Sequence, residues 1–337
     1  MSNSASWNIE RTWLKDGEAG TRAVNMNHVG RELLTTSGTP IHALFVYNCN
    51  PAVTLPDQHR VLQGLAREDL FTVVFDQVLT DTAAYADVVL PATTFMEHYD
   101  LVRAYGPMHM ELGRPVIEPQ GESRSNTDVF MDLVRRLDLS SNGDPSDDLD
   151  AMLSGLGGLP ERIGDELRAN WRATPPFEGR PIQFVDVFPN TVDRKVHLCP
   201  EHLDQQAPLG LYGFQEDPAT ERYPLALISP ASDRTISSTL GELERPDVLL
   251  EMNPSDAEPR GIDEGDAVRI VNEMGEVMVR VRLTHLVRPG TVAMPKGVWR
   301  RHTDNGWTSN ALVPDTLTDL GGGACFNDAR VDVVKAR

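Results

Sequence analysis

Three apolar runs near the start of the chain restrict its fold more than any other feature. Ile41–Tyr47 and Leu70–Phe75 end abruptly in polar residues, and Asp87–Leu90 ends in Pro91. Runs that stay apolar without alternating suit strands covered on both faces, as in a parallel sheet. Between the first two lies a helical pattern beginning near Pro56, with Val61, Leu62, Leu65 and Ala66 on one side. A shorter helix begins near Thr80 or Asp81, either of which can cap it. Strands alternating with helices predict a βαβαβ piece of a doubly wound sheet. Such sheets bind ligands outside the carboxyl ends of their strands. The polar residues at those ends, Asn50 after the first strand and Asp76 after the second, are therefore the first binding candidates.

The flanking segments differ in character. Upstream, RAVNMNHVGRELL predicts a short helix with Val29, Leu33 and Leu34 on one face, and with Met26 and Val29 packed on the sheet. Downstream, residues 98–121 read as irregular and extended. Ser125 and Asp128 then have capping-box spacing ahead of VFMDLVRRLDL, so a helix starts there. From 140 to 180, helical pieces are broken by Gly and Pro. The last third holds short β-rich runs at 225–229, 247–252, 267–271, 277–283 and 291–295, separated by Gly- and Pro-bearing turns. Those runs predict a barrel or sandwich, with one helix starting at Ser255. The main boundary is expected between Leu198 and Tyr223.

Composition narrows the function. A chain of 337 residues suggests about two domains. Its net charge of −19 argues against a general nucleic-acid or anionic-membrane surface, but a few local donors can still hold a phosphate. No apolar run reaches the ~20 residues of a membrane span, and the first residues have no signal-peptide core. Cys49, Cys199 and Cys325 lie far apart with no CxxC pair, which disfavours a disulfide framework or a cysteine-ligated cluster within this sequence. A reducing, cytoplasmic location is expected on that basis.

At this point several stretches resemble one family. They are VYNCNPAVTLPD (46–57), VVFDQVLTDTAAYADVVLPATTFMEHYD (73–100), SRSNTDVFMDLVRRL (123–137), YPLALISP (223–230), NPSDAEPRGIDEGDAVRIVNEMGE (253–276) and VRPGTVAMPKGVW (287–299). The chain resembles the C-terminal portion of molybdopterin-dependent oxidoreductases of the dimethyl-sulfoxide-reductase and formate-dehydrogenase type. The resemblance implies a partial doubly wound α/β guanine-dinucleotide-binding domain over 1–140. It implies a helical and loop segment over 141–220 and a double-psi β-barrel over 221–337. It further implies a bis-molybdopterin guanine dinucleotide with molybdenum or tungsten, and oxygen-atom transfer or formate-type oxidation of a small-molecule substrate. In the family, the metal's protein ligand and any [4Fe–4S] cluster lie in a separate N-terminal part. That part, or an electron-transfer subunit, is the implied partner, with no nucleic acid and no membrane insertion. The alternatives are a non-catalytic cofactor-binding module or a truncated relic. A nicotinamide dehydrogenase is disfavoured because the first turn, NCNP, lacks GxGxxG.

The resemblance also assigns residues. Asn50, Asp76 and Asp128 become guanosine contacts, with Phe75 contributing backbone and packing and His98 lying near the dinucleotide. Each has an ordinary alternative: Asn50 an Asx turn, Asp76 a loop carboxylate, Asp128 a helix cap and His98 an exposed loop histidine. Ser229, Ser232, Arg234 and Thr235 belong to a polar loop whose counterpart touches pterin and phosphates. Asn310 and Asn327 match polar positions near the pterin. Trp299, Arg300, Arg301 and His302 form either a pterin edge or a rim patch. Cys49 reads as a small buried thiol rather than a metal ligand.

Overall fold

The computed structural model describes residues 22–35, 38–103, 109–140, 143–156, 161–174, 182, 184–214, 219–231, 237–243 and 248–336. These residues fall into two compact units: Ala23–Leu90 together with Cys199–Arg337, and a second unit that includes Pro91–Leu198.

The first unit opens with helix α1 (Val29–Leu34), strand β1 (Ala43–Tyr47), helices α2 (Pro51–Thr54) and α3 (Gln58–Leu65), strand β2 (Phe71–Asp76) and strand β3 (Val88–Pro91). The sheet order is β1-β2-β3, and β1 runs parallel to β2 with Tyr47 opposite Phe75. Asp57 starts α3 from a left-handed φ of 49°, its carboxylate accepting from the Arg60 N–H. An aspartate tolerates that conformation because its short side chain bonds locally. Leu33, Leu55, Val61, Leu62, Leu65 and Leu70 form the core beneath one face of the sheet.

In the second unit, β4 (Asp100–Arg103), β5 (Met110–Gly113) and β6 (Arg172–Ala173) form an antiparallel sheet. Helices α4 (Asn126–Arg136), α5 (Asp148–Leu156) and α6 (Glu161–Asn170) accompany it. Met110, Leu112, Leu156, Ile163 and Leu167 make its core.

The first unit resumes with a barrel of β7 (Leu225–Ile228), β8 (Leu249–Met252), β9 (Ala267–Val271), β10 (Glu276–Leu283), β11 (Thr291–Ala293) and β12 (Ala329–Lys335). It closes in the order β10-β8-β11-β7-β12-β9, with β10/β8 and β11/β7 parallel and the other pairs antiparallel. Closure leaves no edge strand to pair elsewhere. Period-two alternation sends Val268, Ile270, Val277, Val279, Val281, Val331 and Val333 inward. The fold class is the expected one: an α/β piece followed by a closed, mixed six-strand barrel of the double-psi kind.

Four local expectations are corrected. Met26 does not pack on the sheet; it is 59% exposed, while Val29 does reach the core. The apolar strands are not covered on both faces, since Phe45, Tyr47 and Phe71 are all exposed. Residues 98–121 are not wholly irregular but contain β4 and β5, whose backbones pair from Asp100↔Gly113 to Arg103↔Met110. The sixth barrel strand, β12, follows a Gly-rich stretch and was absent from the expected set of runs.

Candidate functional site

Asn50 closes β1's turn and is 3% exposed. Its Oδ1 accepts from the Thr82 hydroxyl at 2.7 Å and from the Thr82 N–H at 3.2 Å. The Thr82 hydroxyl in turn accepts from the Ala52 N–H at 3.0 Å. That arrangement fixes the amide's orientation and leaves Nδ2 buried with no partner among the described residues. A buried donor without an acceptor is uncommon and needs an explanation. The nearby Thr80 is the local cap, accepting from the Ala83 N–H at 3.2 Å.

Asp76 stands at the same end of the sheet, its Oδ1 accepting from the Gln77 N–H at 2.7 Å. Burial pushes its carboxyl above the usual carboxylate range, and Glu242 adds to that, while the Gln77 and Val78 N–H groups oppose it. The sign for stability follows. A raised folded value means the carboxyl stabilises most when protonated, and that stability is lost as pH rises through the folded value. Asp76→Asn is therefore expected to raise the melting temperature at pH 7 by about 1–3 °C. The gain should vanish below the ordinary carboxylate range, as paired melting curves at pH 7 and pH 3.5 would show. Cys49 lies close by, and burial raises its thiol against hydrogen bonds from Thr54 and Asn50. It remains a protonated thiol, unlike a metal-binding thiolate. Among the described residues, no group of three or more His, Cys, Asp and Glu side chains could hold a metal.

A cavity of about 210 Å³ opens at the other end of α2. Val53 and Thr54 line it on the α/β side, and Ser229, Lys296, Asn310 and Asn327 on the barrel side. Three expected residues thus meet in one place. Asn327 Oδ1 accepts from the Ser229 N–H at 3.0 Å, and the Ser229 hydroxyl is buried without a partner. Asn310 donates through Nδ2 to the Val53 carbonyl at 2.9 Å. With ~1.5 Å per residue, the four-residue α2 separates Asn50 from this cavity by about one helical turn.

The cavity's two walls are tied together. Gln58 is fully buried, donates to the Ala52 carbonyl at 2.7 Å and accepts from the Thr308 N–H at 3.0 Å and the Thr308 hydroxyl at 3.2 Å. Arg31 forks onto Asp315 at 2.6 and 2.9 Å. His59 lies over Trp307 with ring centroids 3.9 Å apart. Asp81 accepts from the Arg300 N–H at 2.9 Å, and Arg300 reaches the Tyr85 hydroxyl at 3.0 Å.

The basic cluster is also bonded within the chain. Trp299 donates to the Ser238 carbonyl at 2.8 Å, Arg301 donates to the Gly241 carbonyl at 2.7 Å, and His302 bonds the same carbonyl at 2.9 Å. The cluster holds chain segments in place. Asp87 likewise anchors strand pairing, accepting from the Thr72 N–H at 2.7 Å. Phe75 is buried, its ring stacked 6.1 Å from that of Tyr47.

His98 and Asp128 belong to the other compact unit. His98 Nδ1 bonds the Thr93 hydroxyl at 3.0 Å. Asp128 sits in the first turn of α4, where its N–H donates to Ser125 Oγ at 3.2 Å, as the capping pattern required. Glu97, next to His98 in sequence, accepts from the Thr94 N–H, the Thr94 hydroxyl and the Gln120 N–H, which hold its carboxyl below the usual range. Ser232, Arg234 and Thr235 lie outside the described residues.

Sequence reasoning missed Lys296 and Gln58. Lys296 lay in plain view within MPKGVW, one of the matching stretches, whereas Gln58 looked like an ordinary helix residue.

Residues 4–136 match the family model of molybdopterin oxidoreductases, and residues 230–330 match that of the molydopterin dinucleotide binding domain. The chain is 36% identical over 329 residues to the protein named "Probable oxidoreductase YoaE" from Bacillus subtilis strain 168, covering 93% of this chain and 47% of that protein. It is 27% identical over 374 residues to dimethyl sulfoxide reductase DmsA of Escherichia coli K12, covering 97% and 44% respectively. Acetylene hydratase from Pelobacter acetylenicus has the same fold, with a TM-score of 0.75 at 19% identity over 93% of this chain and 47% of that one. The chain belongs to the molybdopterin-dependent oxidoreductase family, and it spans about half the length of the relatives it matches.

Proposed function

We propose that this chain is the part of a molybdenum or tungsten oxidoreductase that grips one molybdopterin guanine dinucleotide. The observation carrying this is the pair of orphaned buried groups, Asn50 Nδ2 and Ser229 Oγ, one on each side of α2. Neither has a partner among the described residues, so each is available to a polar ligand. The residues present suit the group. Asn50 offers a donor and Asp76 a carboxylate for guanosine, while Ser229, Asn310 and Asn327 supply donors and acceptors of the mixed kind that a pterin needs. Asp128 and His98, each polar and at a turn or helix start, are the further candidate contacts toward the dinucleotide. Ser232, Arg234 and Thr235, which follow β7 in sequence and lie outside the described residues, complete the candidate set.

When bound, the cofactor supplies the redox chemistry at its metal. The protein's own groups orient it. Thr82 fixes the Asn50 amide, Asn327 fixes the Ser229 backbone, and Gln58 and Asn310 keep the two walls in register. In the complete enzyme the activity is oxygen-atom transfer or formate-type oxidation of a small molecule. A rest of the enzyme, carried in the same or a separate polypeptide, supplies the metal's protein ligand.

Ser229→Ala tests the reading because its two effects have opposite signs. Removing an unpartnered buried hydroxyl is expected to leave the apoprotein as stable as before or slightly more stable. Binding of the pterin guanine dinucleotide should weaken by about fivefold to tenfold, the worth of one hydrogen bond. Thermal melting and fluorescence titration of the same preparation check both. Unchanged affinity in the variant would contradict the role given to Ser229.

A further inference from the structure

Asn50 can offer its donor to a ligand only while its amide is held one way round. Oδ1 faces the Thr82 N–H at 3.2 Å and accepts from the Thr82 hydroxyl at 2.7 Å. A flipped amide would set Nδ2 against that N–H, donor against donor, and would present an acceptor where a donor now stands. The polarity of Asn50 is therefore set by the position of Thr82. Thr82 stands in a tight turn, in which the Ala83 N–H donates to the Thr80 carbonyl and the Tyr85 N–H to the Thr82 carbonyl, both at 3.0 Å.

Arg300, which follows β11, grips that turn on both sides of Thr82. Its backbone N–H donates to Asp81 Oδ2 at 2.9 Å, and its guanidinium donates to the Tyr85 hydroxyl at 3.0 Å. The guanidinium is itself aimed. Its Nε donates to the Gly306 carbonyl at 2.9 Å, and its Cζ stands 5.5 Å from the centre of the Trp307 ring. A planar donor fork held at one end by a carbonyl and a ring has little freedom at the other. All these residues belong to one compact unit.

We propose that Arg300 is a positioning residue for the dinucleotide: by clamping the turn from Thr80 to Tyr85 it keeps Thr82 in place, and so keeps Asn50 Nδ2 available to the ligand. This rests on the cofactor reading above and deepens it. Arg300 needs no contact with the ligand, because it acts through Thr82 and Asn50.

The test is a double-mutant cycle on the full chain, freed of cofactor, with pterin guanine dinucleotide as the titrant. Asn50→Ala should weaken binding about fivefold to tenfold, the worth of one hydrogen bond. Arg300→Gln keeps the backbone bond to Asp81 and loses the guanidinium bonds, and should weaken binding about threefold to tenfold. Once Asn50 is alanine, Arg300→Gln should cost no further affinity, because the group it positions is gone. A role confined to folding would lower affinity equally in both backgrounds. Tyr85→Phe keeps the ring against the core and removes only the hydroxyl, so it should weaken binding in the same non-additive way. Arg300→Lys should recover part of the loss. Additive losses for Arg300→Gln and Asn50→Ala, or full affinity in both Arg300→Gln and Tyr85→Phe, overturn the positioning role while leaving the cofactor reading standing. Full affinity in Asn50→Ala removes Asn50 from the site and overturns the inference as well. No dinucleotide binding by the parent protein defeats the cofactor reading itself, and the inference falls with it.

Discussion

Gly297→Val is expected to destroy the cavity wall and to lower the melting temperature by about 6–12 °C, taking ~3 kcal/mol at ~2–4 °C per kcal/mol. Two effects add. Gly297 has φ +72°, a left-handed conformation that disfavours a β-branched residue by about 1–2 kcal/mol. A side chain there would also collide with the Ser237 carbonyl, which is backbone and cannot rotate away. The segment carrying Ser237 must therefore move, and the cavity with it. Gly290→Ala separates the two effects. Gly290 has φ +80° but nothing within 4 Å of an added Cβ, so only the conformational cost applies. It should cost about 1 kcal/mol and leave dinucleotide binding intact. Comparable melting curves for the two variants would show that the close approach to Ser237 contributes nothing.

The second large effect is expected at Gln58. Gln58→Leu keeps the volume but removes three hydrogen bonds in a fully buried place. The Ala52 carbonyl and the Thr308 N–H and hydroxyl are then left buried without partners. At ~1–3 kcal/mol for each of the three groups left unsatisfied, the loss should be about 3–9 kcal/mol. Urea denaturation should show a lower midpoint, and the parent slope would be kept if the native state stays compact. Gln58→Glu adds a signed check. Its carboxylate would face the Ala52 carbonyl, so the folded protein would favour the protonated form and raise its pKa. Stability of that variant should be highest at acid pH and fall as pH rises through the raised value. A Gln58→Glu protein whose stability is flat between pH 4 and pH 8 relative to the parent would refute the hydrogen-bond assignment.

How much of this was legible in the sequence depended on the range of the interactions. β1, β2 and β9 announced themselves because a strand's side-chain pattern is local; Ala267–Val271 was read with its observed ends. Ser125 was legible as a cap for the same reason, since its partner Asp128 is three residues away. β12 was missed because it follows GGGACFND and closes the barrel against β7 and β9, strands far earlier in the chain. The hairpin of β4 and β5 was missed because its short strands are held by pairing rather than by an evident apolar pattern.

The site divided in the same way. Asn50 and Asp76 stood out as polar residues ending apolar runs, a local signal with a known physical reason. Asn310 and Asn327 were carried by the family resemblance, and nothing in their neighbours' periodicity marks them. Gln58 was invisible because its value comes from Thr308, 250 residues away. The basic run Trp299–His302 suggests a ligand edge or a rim patch from its composition alone, and the bonds of its donors to the Ser238 and Gly241 carbonyls and to Tyr85 were not legible there because those partners lie far away in sequence.

The exposed apolar residues of the sheet follow from the same accounting. A parallel sheet needs both faces covered, yet Phe71 is 52% exposed. The continuous apolar pattern led to an expectation of cover on both faces, and the core formed with α1 and α3 supplies it on one face only.

The central claim is that this chain grips one pterin guanine dinucleotide through Asn50 and the cavity lined by Ser229, Asn310 and Asn327. The most direct measurement is the amount of cofactor retained per chain after purification from cells that make it, read as guanine nucleotide released by acid and as fluorescent oxidised pterin. The account predicts both products in equal amounts, at up to one per chain, and a lower yield of both from the Ser229→Ala variant, which should be at least as stable as the parent. A well-folded chain that retains neither product, or a Ser229→Ala variant that retains as much as the parent, would contradict it.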